Sequence, residues 1–365
     1  MVRRWPLVVV VALCTWCSRS NAQGTPAVFT LDTSPRSAAL GGASTALFWG
    51  SDLNYWANPA LTGYFRGLSY EYRRAQLIPG LAPTVAIENQ PIRIGGGGVG
   101  VVFSGEPFGR GTELSFGAGP KDEGDSWGFG VSAGGLVTTI ARMTDGETPG
   151  WMERVDVAYG MNFKEAEVNI LGVTEETDAS DWGILVRGTP ILSEPHETSE
   201  FRFDIAYGHS VLSQEDDAEL FGVRISEQVK DGIAARLSWN PWIRTLSDLP
   251  GGWFLEGFFP LLTVGAVADW TDVNGPGSEF ETSGQGLEVG LANFVAVRVG
   301  HYLDGEGQIE GATWGFGLGL PVGRIGRLQY DTGLVPQSST LDHRQQHGFT
   351  IWLDPLAAWR LRSGS

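Results

Sequence analysis

Residues 154–163 read RVDVAYGMNF, and the order of apolar and polar side chains in this stretch decides the fold. In an extended chain successive side chains point to opposite sides, so Val155, Val157, Tyr159, Met161 and Phe163 share one face, while Arg154, Asp156, Gly160 and Asn162 share the other. The same period of two recurs in Phe201, Phe203, Ile205 and Tyr207, in Phe221, Val223 and Ile225, and in Ile233, Ala235, Leu237 and Trp239. Leu287, Val289 and Leu291 follow, then Val295, Val297 and Val299. Phe316, Leu318 and Leu320 alternate with Gly315, Gly317 and Gly319, and Phe349, Ile351 and Leu353 form the last set. From about Gly67 onward this alternation dominates and helical periodicity is hard to find, which predicts an all-β chain.

The polar face carries Arg154, Asp156, Arg202, Asp204, Arg224, Arg236, Glu288 and Arg298 at mid-strand positions. A soluble sandwich would turn these residues to solvent and a barrel would turn them into its lumen; alternation alone permits both. The acidic stretches KDEGDS (121–126), TEETDASD (174–181), SQEDDAE (213–219) and DVNGPGSEFETSGQG (272–286) read as connections longer than tight hairpins need, suited to an extracellular rim. The most apolar late segment, WFLEGFFPLLTVGAVADW (253–270), is interrupted by Glu256, Gly257 and Pro260 and makes a poor membrane helix. A spanning chain without helices has to close its sheet, because lipid offers no partner to an open strand edge. At ~10 residues per tilted strand plus turns, the chain after Gly67 holds roughly 12 to 16 strands, and an even count near ~14 is expected.

The N-terminus supplies the export signal. Arg3 and Arg4 precede the apolar run from Leu7 to Leu13, and Ser20-Asn21-Ala22 offers a small-residue cleavage site, so the mature chain is expected to begin near Gln23. Cys14 and Cys17, the only two cysteines, leave with that leader, which excludes disulfides, thiolate zinc sites and cysteine catalysis from the mature chain. The 25 basic residues face 42 acidic ones, a net charge of −17 that makes nucleic acid a poor partner. Glycine is abundant at 52 residues and tryptophan at 14, while lysine is nearly absent, a balance that suits closely approaching strands and interfacial rings.

Residues 35–72, PRSAALGGASTALFWGSDLNYWANPALTGYFRGLSYEY, resemble the N-terminal region of the FadL-like and PorV-like outer-membrane barrels. The family pattern of a Gly-Gly-Ala stretch, an Asp and Asn-Pro-Ala is met by Gly41, Gly42, Ala43, Asp52, Asn58, Pro59 and Ala60. Residues 286–321 followed by RLQYDTGL (327–334) resemble the closing strands of the PorV-like group. The resemblance implies a closed antiparallel transmembrane barrel whose lumen holds a small N-terminal hatch, with Gly41, Gly42, Asp52, Asn58 and Pro59 in that hatch. Phe48, Trp49, Tyr55 and Trp56 are more aromatic than the family pattern and are candidates for a ligand pocket. The expected organisation is a leader over 1–22, a hatch over 23–66, a barrel over 67–354 and a tail over 355–365. Independently of the resemblance, the Ala- and Ser-rich run from Ser37 to Leu47 favours a short helix, ended where Asn58 precedes Pro59.

The implied role is a passive outer-membrane channel for small hydrophobic or amphipathic compounds. The alternative is a PorV-like accessory of a type IX secretion system, whose partners would be machine subunits or exported cargo at the cell surface. In either case outer-membrane lipid surrounds the barrel, and no enzyme, cofactor or metal is expected. Three motifs resemble catalytic or metal sites. GVSAG (130–134) fits a nucleophile elbow, but its flanks read as continuing strand, which leaves Ser132 a small face residue. GGGGVG (95–100) is followed by VVFSG rather than a helix and reads as a glycine-rich hairpin. His343 and His347 have the spacing of metal ligands on a helical turn but lack the accompanying Glu, and they lie in a polar stretch.

Overall fold

The structure, a computed structural model, describes residues 27–355 apart from 51, 80–81, 107–109, 117–120, 145–147, 153, 171–172, 193–198, 215–218, 221–222, 242–255, 276–277, 306–308, 324 and 338–341. The expected leader and all but the first residue of the expected tail lie outside the described residues.

One antiparallel sheet closes on itself. Its strands are β1 (Gly67–Ile78), β2 in two halves (Ala82–Asn89 and Ile92–Gly96), β3 in two halves (Val99–Ser104 and Thr112–Phe116), β4 (Lys121–Ser132), β5 (Val155–Ile170), β6 (Val173–Leu192) and β7 (Ser199–Gln214). They continue as β8 (Glu227–Pro241), β9 (Leu262–Gly275), β10 (Ser278–Leu291), β11 (Val295–Asp304), β12 (Ile309–Val322), β13 (Gly326–Val335) and β14 (Arg344–Leu353). Sixteen strand segments therefore form fourteen staves, since β2 and β3 are each interrupted. Closure is made by β14 on β1, paired from Leu68↔Leu353 to Gln76↔Gln345, so among the described residues this sheet has no free terminal stave.

The outside of the barrel is the apolar face of the alternation. Leu68, Val157, Ile184, Ile205, Ile233, Leu287, Val297, Phe316, Leu328 and Phe349 are all exposed there, one or more on nearly every stave. At one end this belt gives way to outward Arg74, Glu165, His209, Asp231, His301, Glu310 and His347, with Trp270, Trp314 and Tyr207 beside them. Water-soluble proteins do not expose a continuous ring of this kind, whereas a lipid-spanning barrel requires it, with aromatic rings at its borders. Among the described residues no helix is long and apolar enough to cross a membrane. The crossing is made by strands.

Beyond the polar border the expected connections are strand. KDEGDS lies within β4, TEETDASD within β6, and most of DVNGPGSEFETSGQG within β9 and β10. These acidic stretches are strand extensions beyond the belt: their outward side chains meet water, while inward Asp122, Ser126, Thr177, Ala179 and Asp181 are buried on the lumen side, so polar residues occupy both faces. The apolar-polar alternation that marks a strand against lipid disappears there, so the residues read as loops.

If the belt meets lipid, Val297→Arg at its middle lowers the unfolding free energy in vesicles by ~2–4 kcal/mol, while Glu310→Arg at its border changes it by less than ~1 kcal/mol. Denaturant titration of the vesicle-inserted barrel measures both.

Candidate functional site

The first described residues fill the lumen. α1 (Ala27–Thr30) and α2 (Pro35–Ala39) are followed by an irregular chain and a 3-10 turn, Pro59–Tyr64, before β1 begins. Ser34 caps α2, its hydroxyl accepting from Ser37 N–H at 3.2 Å, and Pro35 takes the first position, where its missing N–H costs nothing. The helix stops at Ala39, well short of the predicted Leu47. Gly41 and Gly42 both have positive φ (76° and 83°), which turns the chain back against the wall.

The wall at this height is made of glycine. A Cβ on Gly300 would stand 2.6 Å from Gly41 N, one on Gly284 2.0 Å from Gly41 O, and one on Gly208 2.4 Å from Thr45 O. Gly160 meets the Pro59 carbonyl group, Gly100 the Thr62 carbonyl and Gly333 the Pro35 carbonyl in the same way. The plug's backbone thus rests on the sheet with no side chain between them, and the alternating glycines of 315–319 belong to this inner face.

Charges fasten the plug where glycine lets it approach. Arg36 pairs with Glu288 of β10 at 2.7 Å, and Glu288 is shared with Arg298 of β11 at 2.6 Å and with the Trp49 indole N–H at 2.9 Å. Arg298 reaches on to Asp331 at 2.6 Å. Asp269 of β9 accepts from the backbone N–H groups of Ser44 and Thr45 at 2.7 and 2.8 Å. Asp52 accepts from the Ser34 hydroxyl at 2.7 Å and pairs with Arg73, which also holds Glu71. Burial alone would push the Asp52 carboxyl up, but Arg73, Arg93, the Ser34 hydroxyl and Arg36 outweigh it and hold the group below its ordinary value. Its contribution to docking is therefore complete above the ordinary carboxyl range and is lost only as pH falls through the lower, docked value.

Each residue singled out in the sequence lies in this plug. Gly41 and Gly42 form its turn, Asp52 its carboxylate anchor, and Asn58 caps the 3-10 turn by accepting from Ala60 N–H at 3.0 Å. The Asn58 amide also donates to the Thr45 carbonyl at 2.9 Å and to Ile184 O on β6 at 3.1 Å, and Pro59 opens the turn against Gly160. The four aromatic candidates separate into two pairs. Phe48 and Trp49 meet edge to face at 5.2 Å beneath the guanidinium of Arg236, 5.3 Å from the Phe48 ring. Tyr55 and Trp56 meet at 5.6 Å and cluster with Val102 of β3. All four are buried in packing rather than lining one open apolar pocket. Of the wall residues that hold the plug, Glu288 was legible only as an inward charge and Asp269 was not singled out, because their plug partners Arg36 and Ser44 lie 252 and 225 residues away.

Among the described residues, cavities lie in the lumen on either side of the plug. One of about 320 Å³ at the acidic end is lined by Asp32, Lys230, Thr271, Tyr302 and Arg344, and one of about 250 Å³ at the other end by Trp49, Arg236, Glu288 and Arg327. A third, of about 840 Å³, lies at the interruption of β3, lined by the end of its first half and by β4, β5 and β6. Phe103, Trp127 and Phe163 line it, and so do Ser104, Ser126 and Lys164 from the inward-facing positions. Ser104 donates to Asn89 Oδ1 at 2.9 Å across the two broken staves. The Tyr55 hydroxyl faces Asn89 and Ser126 from inside, and Lys164 Nζ sits 4.2 Å from the centre of the Trp56 ring.

GVSAG does sit at a strand-to-helix junction, because α3 (Ala133–Met143) follows β4 directly, contrary to the strand reading of its flanks. Its Gly, Val and Thr residues have weak helix propensity, and the Ser132 cap supplies what propensity does not. Ser132 donates to Asp156 at 2.6 Å and accepts from Gly135 N–H at 3.0 Å, the bonds of a cap rather than of a nucleophile. Gly97 and Gly98, with φ of 65° and 86°, are the two-residue turn between β2 and β3. His347 is on β14 facing outward, bonded to Tyr330 at 2.8 Å, and among the described residues no three His, Asp or Glu gather into a metal-binding group.

No protein-family model matches the chain, and no curated protein matches it. Among solved structures it is similar to a FadL homologue of Pseudomonas aeruginosa, at 12% identity over 89% of this chain and 99% of that one, with a TM-score of 0.38. It is also similar to the Ralstonia pickettii toluene transporter TbuX (12% identity, 92% and 99% coverage, TM-score 0.39) and to the P. putida toluene transporter TodX (10%, 87% and 96%, TM-score 0.33). The barrel itself stands on the strand pairing given above.

Gly300→Leu leaves the barrel closed and heat-modifiable on gels but opens residues 35–60 to protease. Glu288→Ala strands two buried guanidiniums and weakens plug docking by ~3–5 kcal/mol, read from the denaturant dependence of the same cleavage.

Proposed function

We propose that this chain is an outer-membrane channel for the passive uptake of small hydrophobic or amphipathic compounds, with the N-terminal plug setting access. The observation that carries the reading is the 840 Å³ cavity at the interruption of β3. Its lining passes from inward Ser126 and Lys164, beside the plug's Tyr55 and Trp56, to outward Trp127 and Phe163, which border the lipid belt. A compound with one polar end and an apolar body matches both halves of such a lining. The Trp56 indole N–H is buried without a hydrogen-bond partner among the described residues, so a ligand acceptor arriving there would satisfy it.

The fastening of the plug favours a passage that bends around it over one that expels it. Removing the plug as a body would break the Glu288, Asp269 and Asp52 clusters together, each containing buried charge. Small shifts of Tyr55 and Trp56 leave those clusters intact.

Uptake of a hydrophobic fluorescent probe by cells tests the proposal. Cells with the intact chain are expected to take it up faster than cells without the chain, and deletion of residues 35–60 is expected to change that rate. Equal rates in all three contradict it. Purification from detergent extracts separates the accessory reading, since a channel comes out alone and a secretion partner brings cargo or machine subunits.

A further inference from the structure

α3 is the one described helix of more than a few residues that stands outside the lumen, and its exposed described residues, Ala133, Ile140 and Met143, are apolar. Ile140 is 57% exposed and Met143, on the next turn, 80% exposed; Trp151 in the following turn is 61% exposed. The helix does not dangle. Its first turn is held by Asp156, which accepts from Ser132 and from Gly134 N–H at 2.7 Å, and its Gly135–Leu136 backbone lies against Gly98. A Cβ on Gly98 would stand 2.4 Å from Leu136 N, and Thr139 touches Gly97 in the same way. The helix is thereby laid across the turn between β2 and β3, at the end of the barrel where β1 begins and β14 ends.

Apolar exposure continues from this helix into the lipid belt on both sides. Ile94 and Val99, which flank the turn beneath it, are exposed members of the belt, and Trp151 precedes the belt residue Val155 by one turn, with Val155 N–H donating to Trp151 O at 2.9 Å. Arg154, between them, is exposed as well. An apolar helix face, an aromatic ring and a cation at the edge of a lipid-facing surface are the parts that seat a segment at the boundary of headgroups and acyl chains.

We propose that α3 and Trp151 form a membrane-interface anchor that lies in the phospholipid leaflet at this end of the barrel, with Ile140, Met143 and Trp151 among the upper acyl carbons and Arg154 among the phosphates. The occupant of the exposed face is lipid rather than a second copy of the chain, because the face is continuous with the belt that lipid already covers. This holds whether or not the barrel conducts.

Single cysteines test it in the full chain carrying Cys14→Ser and Cys17→Ser. Met143→Cys, Val157→Cys in the belt and Glu176→Cys in an acidic strand extension are each labelled with an environment-sensitive fluorophore in vesicles of phosphatidylcholine and phosphatidylglycerol. Heat-modifiable migration confirms folding, and Ile140→Cys replaces Met143→Cys if that variant does not fold. The anchor predicts a blue-shifted label at 143 that loses most of its emission to lipids brominated near the headgroup and less to lipids brominated near the chain terminus. A label as red and unquenched as that at 176 overturns the proposal. So does a blue-shifted label that neither lipid quenches, since protein would then cover it, and so does stronger quenching from the chain terminus.

Discussion

A polypeptide backbone can lie flat against a β-sheet only where the sheet carries no side chains, and the inner wall of this barrel is cleared in that way along the path of the plug. Gly100, Gly160, Gly208, Gly284, Gly300 and Gly333 each meet plug backbone at a distance that leaves no room for a methyl group. Glycine in strands is unfavourable on its own, so its repeated use here is a cost offset by the plug that covers it. Where the plug touches the wall, its main chain occupies the space that wall side chains would otherwise fill, and the plug's position follows from where the glycines are.

Bringing backbone so close creates a second demand. The plug's N–H and carbonyl groups lose water and must find partners, and the wall provides them through Asp269, Asn162 and Ser210, the last two reaching the carbonyls of Tyr55 and Ala57 at 3.0 and 2.7 Å. Buried carboxylates need cations in turn, and Arg36, Arg73 and Arg298 meet them with bonds to two or more partners each. The two staves without continuous pairing, β2 and β3, pass beside Tyr55 and Trp56, so the least tightly bonded part of the wall adjoins the most aromatic part of the plug.

How much of this was written in the chain depends on what each face of a strand meets. The belt was legible because lipid on one side and a closed lumen on the other impose a strict period of two, as in Val155 to Phe163, and the count of about fourteen followed from chain length. The acidic extensions were not legible as strands, because TEETDASD turns polar residues both to outside water and to the buried lumen side, where Thr177 and Asp181 sit, and so keeps no apolar-polar period. α3 was hidden by its glycines and β-branched residues, its formation resting on the Ser132 cap and on docking against Gly97 and Gly98. The Gly-Gly and Asn-Pro positions pointed to the plug. Their partners did not follow, since the pairing of Arg36 with Glu288 spans 252 residues and leaves no local mark.

The plug seated on the glycine wall is tested most directly by amide hydrogen exchange over residues 35–60 in the folded, membrane-inserted barrel. Protection comparable to that of the central strands, lost together with the barrel in denaturant, is the expected result. Rapid exchange of those amides while the strands stay protected would show that the segment does not occupy the wall, and the account of the lumen would fall.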